Sequence, residues 1–385
     1  MGKAKEILKK NTMLVALLVV TLLFTILTKG VLLYPANITN LISQNGYVVV
    51  LAVGMLLCIL TGGNIDLSVG SIVAMVGALA GTLIVNHHMS TWLAIPICLA
   101  VGILIGIWQG FWIAYIRIPA FIVTLAGMLV WRGVTLSILG GLTISKFPAN
   151  YLNLFNSFIP DVFKGKRNIL SIILGALICV VYIILQLSGR IKKRKKGYQV
   201  EKQAAMILKI IVISVVIMAV AISLAFNKGI PMILILLGIV VLVYTYYTTK
   251  TVPGRYLYAM GGNEKAAKLS GINTNKVLFL AYVNMAFLSA VAALMCVARF
   301  DSAAPTAGTN YELDAIGSCF IGGASAYGGI GTVAGVVIGA IFMGVLNNGM
   351  SIKGVDSDMQ KLVKGLVLLA AVAFDVISKK RSRIA

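Results

Sequence analysis

The residues able to do chemistry are few, and most sit among apolar neighbours. Asp66 lies in Gly62–Gly70, GGNIDLSVG, directly before a long apolar run. The Gly-Gly pair breaks a helix. A carboxylate at the start of the next one accepts free N–H groups and meets the positive end of the helix dipole. Asp66 therefore reads as a capping residue at a buried helix start, with Ser68 near the first turn. The sharper reading is a gate or pathway residue, because carboxylates inside a membrane are costly. Other hydrogen-bonding or aromatic positions inside apolar runs are Gln44, Asn45, Trp108, Gln109, Thr124, Asn284, Asn347 and Asn348. Neutral hydrogen-bonders beside aromatics suit the passage of a neutral polyhydroxylated solute, and each alone also serves as glue between helices. Candidate pathway or gate residues are thus Asn45, Asp66, Ser68, Gln109, Asn284, Asn347 and Asn348.

No catalytic set emerges. The chain has no G-x-x-x-x-G-K-[ST] and no H-E-x-x-H, so neither a P-loop nor that zinc motif is present. His87 and His88 are adjacent in an expected loop, and no metal site follows from them. Cys58, Cys98, Cys179, Cys296 and Cys319 all lie in apolar stretches without a C-x-x-C, and read as small packing residues. The chain is expected to bind no cofactor and to perform no covalent chemistry.

The most informative polar segment is Thr251–Lys276, TVPGRYLYAMGGNEKAAKLSGINTNK. Inside it a short helix is punctuated at both ends. Asn263 caps the start, Glu264 sits in the first turn, Lys268 lies near the end, and Gly271 supplies a left-handed C-terminal residue. Ala266, Ala267 and Leu269 give it an apolar side. Such a helix suits docking into a groove of a soluble partner.

These residues need positioning, and composition says by what. Of 385 residues, 59% are hydrophobic and only 11% charged, with a mean hydropathy of +0.98. A soluble chain of this size requires a far more charged surface. What remains is an all-α, multi-pass membrane protein, since runs of about 20 apolar residues match a roughly 30 Å hydrocarbon core. The net charge of +22 lies mostly in short loops and termini, where it reports topology rather than nucleic-acid binding.

Twelve apolar blocks follow in order: Met13–Leu33, Leu41–Leu60, Leu67–Val85, Trp92–Ile116, Ala120–Leu139, Ile169–Leu187, Ile207–Phe226, Pro231–Thr248, Val277–Ala298, Leu313–Ala326, Thr332–Leu346 and Leu362–Ile377. Leu313–Ala326 is short for a crossing and is left open between crossing and re-entry. Lys3, Lys5, Lys9 and Lys10 precede the first block, which places the N-terminus in the cytoplasm. Counting onward puts Arg117, the run Arg190–Lys196 (RIKKRKK), the loop 250–276 and the tail Lys379–Arg383 inside as well. Lys164, Lys166 and Arg167 oppose this count. Twelve crossings with both termini cytoplasmic satisfy the larger number of clusters.

An internal echo is visible. TGGNIDLSVGSIVAMVGALAG at 61–81 and IGGASAYGGIGTVAGVVIGA at 321–340 each carry a Gly-Gly pair, a short polar stretch and a Gly-Ser or Gly-Thr opening an apolar helix. Transporter repeats have this form, with sites near interrupted helices. Gly102, Gly106 and Gly110, and likewise Gly331, Gly335 and Gly339, recur every fourth residue and are expected on single helix faces in close packing.

Four segments in this order carry a family resemblance: GGNIDLSVGSIVA, PAFIVTLAGMLVWRG (119–133), GRYLYAMGGNEKAAKLSGI (254–272) and GGASAYGGIGTVAGVVIGAIFMGVLNNGM (322–350). Over nearly its whole length the chain resembles the permease subunits of bacterial ABC importers for monosaccharides, in the branch of ribose, galactose, xylose and arabinose systems that shares a family with branched-chain amino-acid permeases. The resemblance implies a single permease domain over 1–385, with a ten-helix core and two helices inserted at 158–228, an enlargement similar to xylose-type and multiple-monosaccharide permeases. It also implies location in the bacterial cytoplasmic membrane, a cytoplasmic ABC ATPase that carries the ATP and magnesium, an external sugar-binding protein, and a second permease copy. It assigns Gly261, Gly262, Asn263, Glu264, Ala266, Ala267, Leu269 and Gly271 to the segment that couples to the ATPase.

Overall fold

The computed structural model describes residues 12–163, 165, 167–198, 200 and 203–384. Lys3, Lys5, Lys9, Lys10, Lys164 and Lys166 lie beyond the described residues, as do the side chains of Lys379–Arg383. Fifteen helices are present among the described residues: α1 (Thr12–Leu27), α2 (Pro35–Leu60), α3 (Val69–Gly81), α4 (Thr91–Ala114), α5 (Ala120–Leu139), α6 (Ala149–Asn156), α7 (Ile169–Lys195), α8 (Gln203–Ala225), α9 (Met232–Lys250), α10 (Val252–Gly262), α11 (Glu264–Leu269), α12 (Thr274–Phe300), α13 (Tyr311–Ile321), α14 (Val333–Ile352) and α15 (Ser357–Ile384). A turn of π-helix at Thr82–Asn86 prolongs α3. Two-residue strands, Ile144–Ser145 and Ser302–Ala303, pair antiparallel.

Each apolar block holds a helix, and the chain is an all-α, polytopic membrane protein. Nine helices among the described residues are long and apolar enough to cross a bilayer. The twelve-crossing count therefore also needs α1, α13 and α15. Helix α10 was not anticipated, although its signal is in the sequence. Thr251 caps it by accepting from the Gly254 N–H at 3.1 Å, and Pro253 occupies its first turn, where a missing donor costs nothing.

Helices α2 and α12 form the centre. Every residue of α2 from Val48 to Leu60 is buried. Helix α12 packs against α2, α3 and α4. The predicted ladder on α4 makes this contact: a Cβ on Gly106 would stand 2.6 Å from the Val283 Cα, so only glycine lets the two backbones approach this closely. The second ladder differs from expectation. Gly335 and Gly339 lie on α14 against Gly322 and Ser318, but Gly331 falls outside the helix, in the loop before the Thr332 cap. Thr332 ends the pattern by accepting from the Gly335 N–H at 3.0 Å.

The two ends of the bundle can be told apart by contacts. One gathers Leu60–Ile65, Arg117, the 261–276 region and Gly322–Val333. The other gathers Gly81, Ile144, Ala303, Asn37 and Asn348. Helix α13 has only eleven residues, about 16 Å at 1.5 Å per residue. Irregular backbone at 302–310 leads into it from the second end, running beside α3 from Gly81 to Gly70. Tyr311 then stacks on Tyr47 within α2, at a centroid distance of 4.0 Å. Together, residues 302–326 thus run from the second end to the first, the irregular backbone covering part of the distance and α13 the rest.

Helices α7 and α8 form a hairpin whose roots meet. The Ile159 N–H donates to the Ile230 carbonyl at 2.9 Å and the Met232 N–H to the Ser157 carbonyl at 2.8 Å. Helices α7 and α9 both start there, and α9 leads through α10 to Gly261 beside Leu60.

Candidate functional site: a capped helix seated on two glycine loops

The short helix α11 is built as its residues dictate. The Asn263 Oδ1 accepts from the Ala266 N–H at 3.0 Å. At the other end Gly271 has φ +84°, and the Ile272 N–H closes on the Ala267 carbonyl at 3.1 Å. A left-handed residue turns the chain back on the last carbonyls. The predicted apolar side is divided: Ala267 is buried, whereas Ala266 is exposed and Leu269 is 90% exposed. One alanine anchors the helix, and a leucine stands out from it. Glu264 meets Arg117, Nη1 to Oε1, at 2.7 Å, each side chain about two-fifths exposed. Such a pair contributes no more than about 1 kcal/mol. Arg117 also donates to Thr274 Oγ1 at 3.1 Å and to Asn275 Oδ1. It is a non-glycine residue at φ +64°, and it ties α11 to the first turn of α12. Its role was not legible in the sequence, since its partners lie about 150 residues away.

Beneath α11, three glycine-rich segments meet. A Cβ on Gly261 would lie 1.8 Å from the Leu60 carbonyl oxygen and 2.3 Å from the Gly329 nitrogen. The Gly329 N–H itself donates to the Leu60 carbonyl at 3.1 Å. A Cβ on Gly63 would stand 2.1 Å from the Ala326 oxygen, and one on Gly328 would stand 2.5 Å from the Gly62 Cα. The two echoing loops thus touch each other, and α10 rests on both. The Tyr258 hydroxyl donates to the Gly331 carbonyl at 3.0 Å, and burial holds that phenol above its ordinary pKa. Gly262, the neighbour of Gly261, has open space at its Cβ position. It borders an open groove of about 390 Å³ that Thr61, Asn64, Arg117, Asn263 and Glu264 also line.

Three pathway candidates come together just above this seat. Gln109 Nε2 donates to Ser68 Oγ at 2.7 Å, and Ser68 donates to Asp66 Oδ1 through its Oγ at 2.5 Å and its N–H at 2.9 Å. All three residues are fully buried. Asp66 is therefore held by a serine two residues on, and Ser68 stands at the N-terminal boundary of α3. Asp66 Oδ2, Gln109 Oε1 and the nearby Trp131 Nε1 are buried with no hydrogen-bond partner. Trp131 also meets Trp108 edge to face, with centroids 5.5 Å apart.

The remaining candidates are dispersed. Asn45 donates to the Ala340 carbonyl at 2.6 Å and joins α2 to α14. Asn348 exchanges hydrogen bonds with Asn37 at 2.8 and 3.1 Å at the far end. Asn347 is half-buried, and its Oδ1 has no hydrogen-bond partner. Asn284 accepts from the Tyr244 hydroxyl on the wall of a largely apolar cavity of about 370 Å³ between α9 and α12. Two groups outside the candidate set hold the interrupted segment. Asp314 in α13 pairs with Lys364 in α15 at 2.9 Å, nearly out of solvent. Arg132 Nη1 donates to the carbonyls of Pro305 at 2.8 Å and Ala307 at 2.7 Å. Among the described residues no group of histidines, cysteines and carboxylates is arranged for a metal ion, and all five cysteines are free and buried.

Comparison with known proteins agrees with this architecture. The family model described as branched-chain amino acid transport system / permease component matches residues 37–372. The xylose transport system permease protein XylH of Escherichia coli (strain K12) is 36% identical over 370 residues, covering 96% of this chain and 92% of that protein. XylH of Haemophilus influenzae is 36% identical over 382 residues, 99% of this chain and all of that one. The ribose import permease protein RbsC of Escherichia coli (strain K12) is 34% identical over 371 residues, covering 96% and 95%. No solved structure matches. With most of its length matched and full-length relatives above 30% identity, the chain belongs to the branched-chain amino acid transport system / permease component family.

Proposed function

We propose that this chain is the translocation subunit of an ATP-driven importer that carries a monosaccharide, xylose or another pentose or hexose, across the bacterial cytoplasmic membrane. The full-length relatives named for xylose and ribose transport support a sugar over the amino acids in the family's description. The observation that carries the mechanism is the seat of Gly261. Helix α11 continues from α10, and α10 touches the two glycine loops directly. A push on α11 reaches the Asp66–Ser68–Gln109 cluster through the loop that begins at Thr61.

On this reading Leu269 and Ala266 face a cytoplasmic ABC ATPase, and both termini are cytoplasmic. ATP and magnesium stay on the ATPase, and the chain itself binds no cofactor. Two copies form the pathway, and an external sugar-binding protein delivers the solute. The 158–228 hairpin is a peripheral addition to one permease domain. Switching between outward and inward access requires the ATPase to bind α11 differently in its two states.

Reconstitution tests this. Proteoliposomes containing the chain, its ATPase and its sugar-binding protein are given labelled xylose, ribose or leucine. Uptake of a monosaccharide that requires both ATP and the binding protein is expected. Leucine uptake would refute the substrate class, and uptake by the lone chain on a proton or sodium gradient would refute the mechanism.

A further inference from the structure

The α7–α8 hairpin has no part in the seat or the polar cluster, and its construction is unusual. Few residues of either helix are buried within the protein. In α7 only Ser171, Gly175 and Cys179 are buried, and these face α8, where a Cβ on Gly175 would meet the Ala221 Cβ at 2.4 Å. Most isoleucines, leucines and valines on the rest of both helices are exposed or half-exposed. In a membrane protein such a surface faces acyl chains.

The apolar part of α7, residues 169–187, is about 28 Å long at 1.5 Å per residue, close to the hydrocarbon thickness. The helix does not stop there. It continues through Lys195, with Lys192, Lys193, Arg194 and Lys195 in its last turn. From Leu187, Arg190 is displaced by about 4 Å and Lys192 by about 8 Å, within the roughly 5–8 Å of headgroup on one side of a bilayer, and Lys195 by about 12 Å, just beyond it. Residues 191–198 are all exposed. Successive helical positions turn by about 100°, so the cations point around the helix. The helix C-terminus adds a partial negative charge that favours them. Between 169 and 228 the sequence has one acid, Glu201, against nine lysines and arginines. An orientation signal requires only that charge remain on one side. Here the charge is held on an ordered helix end that begins within the headgroup layer and extends just past it.

We propose that the end of α7, Arg190–Lys196, binds the phosphate headgroups of anionic phospholipids, with the apolar faces of α7 and α8 taking the acyl chains. The hairpin is thus a lipid-binding module attached to the permease, independent of which solute it carries. A protein partner is a weaker match, because the array begins at the hydrocarbon boundary and sits beside a lipid-facing surface.

The test uses the full-length chain. Tyr198 is exposed and the native cysteines are buried, so Tyr198→Cys accepts a fluorophore at one position. The labelled protein is placed in phosphatidylcholine vesicles with a minor fraction of phosphatidylglycerol or phosphatidylcholine brominated near the headgroup. Phosphatidylglycerol is expected to quench at least about threefold more strongly than phosphatidylcholine at equal fraction, and this preference is expected to collapse in high salt. Replacing Lys192, Lys193, Arg194, Lys195 and Lys196 with Gln should abolish it. The salt arm needs no variant, so it decides the matter if the substituted chain inserts poorly. Equal quenching by the two lipids overturns the proposal, as does a preference that survives the Gln substitutions in a correctly inserted chain. Stronger displacement by inorganic phosphate than by chloride at matched ionic strength also overturns it, by assigning the site to a free anion.

Discussion

Gly261→Ala tests whether α10 is truly seated. The new Cβ would stand 1.8 Å from the Leu60 carbonyl oxygen, 2.3 Å from the Gly329 nitrogen and 2.9 Å from its Cα. All three are backbone atoms, so no side chain can rotate away, and α10 must lift by about 1 Å or more to restore normal contact. That movement strains the Tyr258–Gly331 hydrogen bond, which contributes about 1 kcal/mol. Overpacking adds about 1–3 kcal/mol. The expected loss is on the order of 2–4 kcal/mol. Gly262→Ala is the internal control. Its Cβ has nothing within 4 Å, and alanine in a helix favours stability by up to about 1 kcal/mol. Thermal unfolding of the two purified variants, alongside co-purification of the ATPase, reads the contrast. Gly261→Ala should melt several degrees below the native protein and lose the ATPase, whereas Gly262→Ala should do neither. Equal melting of the two variants would refute the seat.

Three further outcomes are expected. Gly271→Val forces a β-branched side chain to φ +84°, at a cost of about 1–2 kcal/mol, and should weaken ATPase retention while leaving membrane insertion intact; unchanged sugar-stimulated hydrolysis would contradict the docking assignment. Asp314→Asn leaves Lys364 without its buried charge partner and should destabilise by about 3–5 kcal/mol, while Asp314→Leu with Lys364→Met should return to within about 1 kcal/mol of native, as denaturation of the single and double variants would show. Trp131→Phe deletes a buried N–H that has no partner beside the Asp66–Ser68–Gln109 cluster, so stability should hold within about 1 kcal/mol; if this free donor serves the solute, uptake falls several-fold, and undiminished uptake would show that it takes no part.

Much was legible in one dimension because the bilayer imposes a one-dimensional rule. A segment either is apolar for long enough to cross or it is not. The positions of the long apolar helices followed from that rule, and the caps of α11 were legible because Asn263 and Gly271 act on backbone within a few residues of themselves. The echo of two glycine loops was visible as a pattern, but not its purpose. Only folding brings Gly63 against Ala326, and Gly261 onto both Leu60 and Gly329. The same holds for Arg117, which clamps Glu264, and for Gln109, which reaches Ser68 from another helix. Inside a membrane the helices all look alike by hydropathy, so the choice of neighbours rests on close approach between small residues and on a few hydrogen bonds. Those depend on distances between segments up to hundreds of residues apart, and no local pattern encodes them.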